Sequence, residues 1–367
     1  MDCAASEPTR PASSGRAAGQ ADAPTVARKA DHLRINLEED VAAKGVTAGF
    51  EQYRFLHQAL PELDLAEVNT GTTVLGRRLR APLLISSMTG GTGQAALING
   101  RLAHLAQAAG LALGLGSGRA LIERPELLPT FAVRQAAPNV LLLANLGAVQ
   151  LNRGVSVEQC RRLVETLEAD GLILHLNALQ EALQPEGDTC FAGLRARIEQ
   201  LCGSLGVPVV VKEVGWGLAA DTVRRLLEAG VAAVDVSGAG GTSWSEVERY
   251  RLGEPWRVRV AAAFAGWGIP TADALVQARA AAPEATIFAS GGVRDGLDVA
   301  KAVALGADLV GLAGPFLRAA AAGDQTLQDL ANELIETLRV AMFCVGARTV
   351  RNLRASQRLI GPRERPA

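Results

Sequence analysis

Eleven residues, Gly171-Leu-Ile-Leu-His-Leu-Asn-Ala-Leu-Gln-Glu181, hold the densest set of polar tools in the chain. An apolar run of the kind that makes a buried strand ends in His175, Asn177, Gln180 and Glu181. Imidazole gives or takes a proton, the two carboxamides do both jobs of hydrogen bonding, and a carboxylate can hold a cation. In parallel α/β proteins, ligands bind and chemistry occurs at the carboxyl ends of strands. Any one of these residues fits a solvated loop or a satisfied core histidine. All four at one strand end point to a functional site.

Other strand ends repeat the theme. Ser86-Ser87-Met88-Thr89-Gly90-Gly91-Thr92-Gly93 closes the first apolar run with small residues and glycines that let backbone approach a flat or anionic ligand. Ala289-Ser290-Gly291-Gly292-Val293-Arg294 and Gly311-Leu312-Ala313-Gly314 close the last two. Loops in those two places make the usual phosphate site of α/β barrels, although plain tight turns would look the same. Lys212, in Pro208-Val-Val-Val-Lys-Glu213, can pair with a phosphate, form a Schiff base or place positive charge beside a cofactor. With the glycine loops it suggests bound flavin mononucleotide, with Lys212 near the N1–O2 edge and Asn145 and Thr242 on the polar edge of the ring. Arg28-Lys29-Ala30-Asp31-His32 reads by itself as a solvated charge run. Together with Arg119, in Gly116-Ser117-Gly118-Arg119, it could clamp a diphosphate. Glu181 would then be the natural Mg²⁺ ligand, because Mg²⁺ takes one or two carboxylates plus phosphates and waters.

Eight short apolar runs must position these groups: 82–88, 111–116, 140–145, 171–177, 208–213, 231–237, 285–290 and 308–312. Amphipathic stretches such as 94–109, 156–169, 218–229 and 294–305 separate them. Eight strands alternating with helices predict an α/β fold, a (β/α)8 TIM barrel with an N-terminal extension, over a doubly wound open sheet. Polar or glycine-rich residues follow nearly every strand, as a barrel mouth requires. Residues 1–25, rich in Ala, Ser, Pro and Gly, read as a disordered tail, 26–355 as the barrel with its extension, and 356–367 as a flexible C-terminal tail. Residues 26–81 precede the first strand and read as partly helical around 50–60. A C-terminal helix after 325 ends near Arg354. The long connection 238–270 carries Trp244, Trp256 and Trp267, and connections of that length are usually functional.

Composition narrows the partners. The 367 residues are 49% hydrophobic with net charge −1 and no basic stripe, which argues against nucleic acid or a membrane surface. No apolar run approaches the roughly 18 residues of a bilayer span. Cys3, Cys160, Cys190, Cys202 and Cys344 are scattered with no C-x-x-C pair, which predicts reduced thiols in a cytoplasmic protein.

Taken together, Arg28-Lys-x-x-His32, Ser87-Met-Thr-Gly-Gly91, His175-Leu-Asn-x-Leu-Gln-Glu181, Val211-Lys-Glu213, Gly238-x-Gly-Gly-Thr242, Trp267-Gly-Ile-Pro-Thr271 and Ser290-Gly-Gly-x-Arg294 resemble the type 2, FMN-dependent isopentenyl-diphosphate isomerases, from about Arg28 to Arg354. The resemblance implies FMN on Ser87, Met88, Thr89, Ser117, Asn145, Lys212, Ser237, Thr242, Gly291, Gly292, Arg294, Ala313 and Gly314. It implies substrate diphosphate on Arg28, Lys29, His32, Ser117, Arg119 and Gln180, and Mg²⁺ on Glu181. His175, Asn177, Gln180 and Lys212 are then the catalytic set, NADPH (or NADH) the initial reductant, and the protein a homo-oligomer, a tetramer or octamer. One departure stands out. The family carries Gln where this chain has Gly118, which removes one possible hydrogen bond to substrate. An FMN-dependent 2-hydroxy-acid oxidase or dehydrogenase would need a histidine base after the sixth strand, and none follows His175. An inosine-monophosphate-dehydrogenase-like enzyme would need a loop cysteine, whereas Cys190 and Cys202 fall in a stretch read as helix and Cys344 in the C-terminal helix. A flavin-binding barrel without chemistry would not need Gln180 and Glu181 together.

Overall fold

The computed structural model describes residues 24–362. Eight parallel strands form a closed barrel: β1 (Leu83–Ile85), β2 (Ala112–Gly114), β3 (Leu142–Gly147), β4 (Gly171–Leu176), β5 (Val209–Glu213), β6 (Ala233–Asp235), β7 (Thr286–Ser290) and β8 (Leu309–Leu312). Each pairs with its neighbours in sequence, and β8 returns to β1. Each strand lies within its expected run or overshoots it by no more than two residues.

Side chains alternate across a strand, and that period decides what the barrel holds. Leu84, Ala112, Leu143, Ile173, Val210, Ala233, Phe288 and Leu309 face inward as one apolar layer, capped from below by Val74 and Leu79 of the hairpin Thr72–Val74/Arg77–Leu79. Two residues further along the strands, the same inward face carries Ser86, Gly114, Asn145, His175, Lys212, Asp235, Ser290 and Gly311. The packed layer is therefore the floor under a polar one. Strand register sets His175 beside Lys212 and Lys212 beside Asp235. The outward residues, such as Leu172, Leu174, Val209 and Val211, pack under the surrounding helices in the larger core.

The N-terminal extension is organised differently from the expectation. Pro24–Glu38 is an α-helix, so Pro24 and Thr25 belong to it, while the rest of the expected tail lies outside the described residues. The stretch 50–60 is not helical beyond the single 3₁₀ turn Phe50–Gln52. Arg54–Phe55 instead pairs antiparallel with Leu359–Ile360, inside the segment read as a flexible tail. The C-terminal helix is two helices, Asp324–Cys344 and Val350–Arg354. Cys190 lies in a loop, and Cys202 ends the helix Leu194–Cys202.

The long connection after β6 folds into helices Trp244–Arg249 and Pro255–Ala263. It is sewn to the extension by a bridge between Ala42 and Thr242 and by Trp244 packed with Ile35, Val41 and Val247. These two segments roof the carboxyl end of the barrel.

Candidate functional site

A cavity of about 560 Å³ opens at that end, and every residue singled out above for catalysis, cofactor, substrate or metal lines it. β4 delivers His175. Its Nδ1 lies 2.7 Å from Asn145 Oδ1, so Nδ1 donates and Nε2 remains an acceptor. Burial, with the Lys212 charge beside it, pushes the His175 pKa down to about 3, so the ring is neutral near pH 7. Lys212 is buried and donates to Glu213 O at 2.7 Å and Ser237 Oγ at 2.9 Å. Two of its three donor positions meet neutral oxygens, and it forms no ion pair among the described residues. Ser237 holds a left-handed backbone (φ 38°) while its N–H donates to Asp235, a strained placement for a non-glycine residue. Glu213 lies behind the lysine and accepts N–H bonds from Gly215 and Trp216. Burial nonetheless raises its pKa to about 7.

The first turn of the helix Ala178–Leu183 carries Gln180 and Glu181. Asn177 Nδ2 donates to Gln180 Oε1 (3.1 Å) and to Glu181 Oε1 (2.8 Å). Gln180 Nε2 donates to Glu248 Oε1 at 2.9 Å, and His32 Nε2 meets the same oxygen at 2.9 Å. Burial opposes charge on Glu248, yet hydrogen bonds from His32, Gln180 and Arg251 keep its pKa below the ordinary carboxylate value. Glu248 is the residue that sequence reasoning missed. It reaches Gln180 across 68 positions of chain, and only the folded connection shows it.

The basic cluster sits on the helix Pro24–Glu38, with Arg28 and His32 one turn apart facing the cavity. Lys29 Nζ donates to Ser117 O at 2.7 Å and lies 5.0 Å above the Phe131 ring. Burial and the neighbouring Arg28 lower its pKa to about 7. Arg119 pairs with Glu123 at 2.7 Å.

Ser87, Met88 and Thr89 after β1, Ser117 after β2 and Thr242 after β6 line the rest of the wall. Ser86 and Ser87 Oγ are buried there without a hydrogen-bond partner in the protein, which marks a place for a polar ligand. Gly291 and Gly292 have φ of 97° and 70°, and added Cβ atoms would strike the backbone of Gly238 and Gly240. Glycine is needed at both positions for the loops after β6 and β7 to lock together, while their backbone faces the cavity. Ala313 and Gly314 open the helix Gly314–Ala322, and Arg294 and Arg318 line the same end with no ion pair among the described residues. Backbone N–H groups, a helix N-terminus and two uncompensated cations fit a phosphate. Gly118 is not part of the wall. A Cβ there would lie 2.7 Å from Leu163 and 3.3 Å from the Asn145 carbonyl.

Residues 179–359 match the family model for FMN-dependent dehydrogenases. The chain is 52% identical over 334 residues to an isopentenyl-diphosphate delta-isomerase of Nostoc sp., covering 91% of this chain and 95% of that one. It is 56% identical over 317 residues to one of Synechococcus sp. (86% and 91%), and 49% identical over 332 residues to one of Rickettsia bellii (90% and 97%). The chain belongs to this isomerase family. Solved structures with the same fold include a mandelate oxidase with (S)-mandelic acid (21% identity, TM-score 0.62, 91% and 97% covered) and a flavocytochrome b2 with sulfite bound (20%, 0.65, 90% and 82%). At that identity the likeness is one of fold. Family membership sits well with the wall described above, in which an acid, two amides and a neutral imidazole share one strand end beside a buried lysine.

Proposed function

We propose that the protein interconverts isopentenyl and dimethylallyl diphosphate with FMN in its reduced form and Mg²⁺. The observation that carries this reading is the 52% identity to an isomerase over 91% of the chain, together with a cavity lined by every residue assigned above to catalysis, cofactor, substrate and metal. The two diphosphates differ in one C=C position, so the reaction adds a proton at C4 and removes one from C2, with no net redox change. Bound reduced FMN would supply an electron-rich ring and a proton-exchanging N5; NADPH or NADH would serve only to reduce it beforehand.

The chain's own residues divide the remaining work. Gly291, Gly292, Ala313, Gly314 and Arg294 hold the cofactor phosphate, and Ser87, Met88, Thr89, Ser117, Asn145, Ser237 and Thr242 hold its ring and chain. Lys212 places positive charge at the ring's N1–O2 edge. Arg28, Lys29, His32 and Arg119 hold the substrate diphosphate. Glu181 holds Mg²⁺: its carboxylate meets neutral donors, forms no ion pair among the described residues and faces the cavity, so it has negative charge to offer. Gln180, backed by Glu248, keeps a hydrogen-bonding carboxamide at the reacting carbons. His175, neutral by burial, accepts or orients rather than adding a cation beside a developing carbocation. The extension and Trp244 keep water out.

Compartment and assembly extend the same reading. Four described cysteines are free thiols and no described helix is long and apolar enough to cross a membrane; we read the protein as cytoplasmic and as a tetramer or octamer. The test is turnover of isopentenyl diphosphate with FMN, Mg²⁺ and dithionite. Dimethylallyl diphosphate should form under reducing conditions and not with oxidised FMN. Oxygen-dependent oxidation of 2-hydroxy acids, with no isomerisation, would favour the oxidase alternative.

A further inference from the structure

Glu181 and Arg119 come from different strand ends, yet one buried group touches both. Asp188 is 8% exposed and lies outside the cavity wall. Its backbone N–H donates to Glu181 Oε2 at 2.6 Å, an oxygen that also accepts from Gln184 Nε2. Its carboxylate pairs with Arg153 Nε at 2.7 Å, accepts from Gln150 Nε2 at 3.4 Å, and stands 3.6 Å from the Arg119 guanidinium. Gly187 makes the turn possible, since a Cβ there would sit 1.8 Å from Glu181 O.

We propose that Asp188 is a positioning residue: anchored on Arg153 and Gln150, it sets the Glu181 carboxylate and the Arg119 guanidinium in register for a metal-bound diphosphate. The inference rests on the reading of Glu181 as the metal ligand. A site with one protein carboxylate has no other side chain to aim the metal, so the donors on that carboxylate decide its direction. Asn177 holds one oxygen, and the loop Gln184–Asp188 holds the other. Asp188 fixes that loop through its own carboxylate. Arg153 has a second effect. By pairing with Asp188 it satisfies a charge that would otherwise draw on Arg119, whose 3.6 Å contact is too long for a hydrogen bond; with Nε on Glu123, the terminal N–H groups of Arg119 are left for an incoming anion. Arg153 is half-exposed and outside the wall, so it touches no ligand itself.

The probe is magnesium pyrophosphate, titrated calorimetrically into the FMN-loaded wild type, Asp188→Asn, Arg153→Ala and the double variant, with Mg²⁺ varied. FMN absorbance and thermal melting are followed in parallel. Each single variant should bind Mg²⁺ about tenfold more weakly at fixed pyrophosphate, the size expected when a ligand's own hydrogen-bonding support is removed. The double variant should be no weaker than Asp188→Asn, with FMN binding unchanged in Arg153→Ala. Wild-type Mg²⁺ affinity in Arg153→Ala, additive losses in the double variant, or a loss that tracks FMN release would overturn the role of Asp188. Failure of the wild type itself to bind the metal–pyrophosphate complex would instead remove the reading of Glu181.

Discussion

The same eight strands end in two different kinds of surface. At the amino end, charges are paired with one another and with backbone. Arg134 donates to the carbonyls of Ala137, Pro138, Val140 and Glu168 and pairs with Asp170, which accepts the N–H of Leu142. Arg279 repeats the pattern on the other side of the barrel, donating to Ala282, Pro283, Ala285 and Gly306 and pairing with Asp308, which accepts the N–H of Ile287. In each clamp an arginine gathers the loop entering one strand and an aspartate ties that strand to the next. At the carboxyl end, Lys212, Glu181, Arg294 and Arg318 have no ion pair among the described residues, and two serine hydroxyls are buried without partners. One end spends its polar groups on holding the barrel; the other keeps them for something that binds.

If that contrast is right, substitutions at the two ends separate function from stability. Lys212→Met should lower turnover by about 10²–10³-fold, the usual loss when one preorganised electrostatic group is removed. Its folding stability should hold or rise, because a buried cation with only neutral acceptors is replaced by an apolar chain. Steady-state kinetics beside thermal melting checks both halves; a large drop in melting temperature would contradict the division. Glu181→Gln should cost about 10²-fold in turnover, since a bound metal contributes several kcal/mol of charge stabilisation, with FMN content unchanged. Near-normal turnover of this variant at low Mg²⁺ would reject the metal assignment.

Arg279→Ala is the counterpart at the amino end. It strands several carbonyls and leaves Asp308 with Arg354 as its one remaining arginine, and should destabilise the fold by about 2–3 kcal/mol, as charged hydrogen bonds do, while turnover per folded molecule stays unchanged in urea-titrated samples.

The smallest effect concerns pH. With its pKa lowered to about 7, Lys29 is charged below that pH and neutral above it, so affinity for the diphosphate should fall severalfold as pH rises past about 7. Arginine, which stays charged, should flatten that part of the KM profile in Lys29→Arg. An identical profile in the variant would show that another group titrates.

The amino-end layer and the strand-end motifs were legible in the sequence because both obey local rules. Val209-Val-Val-Lys-Glu213 and Leu172-Ile-Leu-His175 announce a buried strand by composition and put their polar residue in the right phase by period two. The helix Pro24–Glu38 went unread although Val26, Ala30, Leu33 and Leu37 recur at helical spacing, because Arg28 to His32 looked like a solvated charge run. The reading of 50–60 as helix failed because Arg54–Phe55 finds its partner at Leu359–Ile360, some 300 residues away. Glu248 and Asp188 escaped for the same reason. Although Asp188 meets Glu181 seven residues back and Glu248 meets Arg251 three residues on, the carboxylate partners of Asp188, Arg153 and Arg119, lie 35 and 69 positions away, and Glu248 meets Gln180 and His32 only when the extension and the long connection fold over the barrel. At Gly118 a Cβ would meet Leu163 and the Asn145 carbonyl, a surrounding that the strand-end motif does not announce.

The most direct test of the whole account is deuterium incorporation, followed by NMR, when isopentenyl diphosphate is incubated in D₂O with the protein, FMN, Mg²⁺ and dithionite. Proton addition and elimination in this cavity predict dimethylallyl diphosphate carrying solvent deuterium in the methyl group derived from C4, formed only with reduced FMN. Product without deuterium, or the same product with oxidised FMN, would contradict the account.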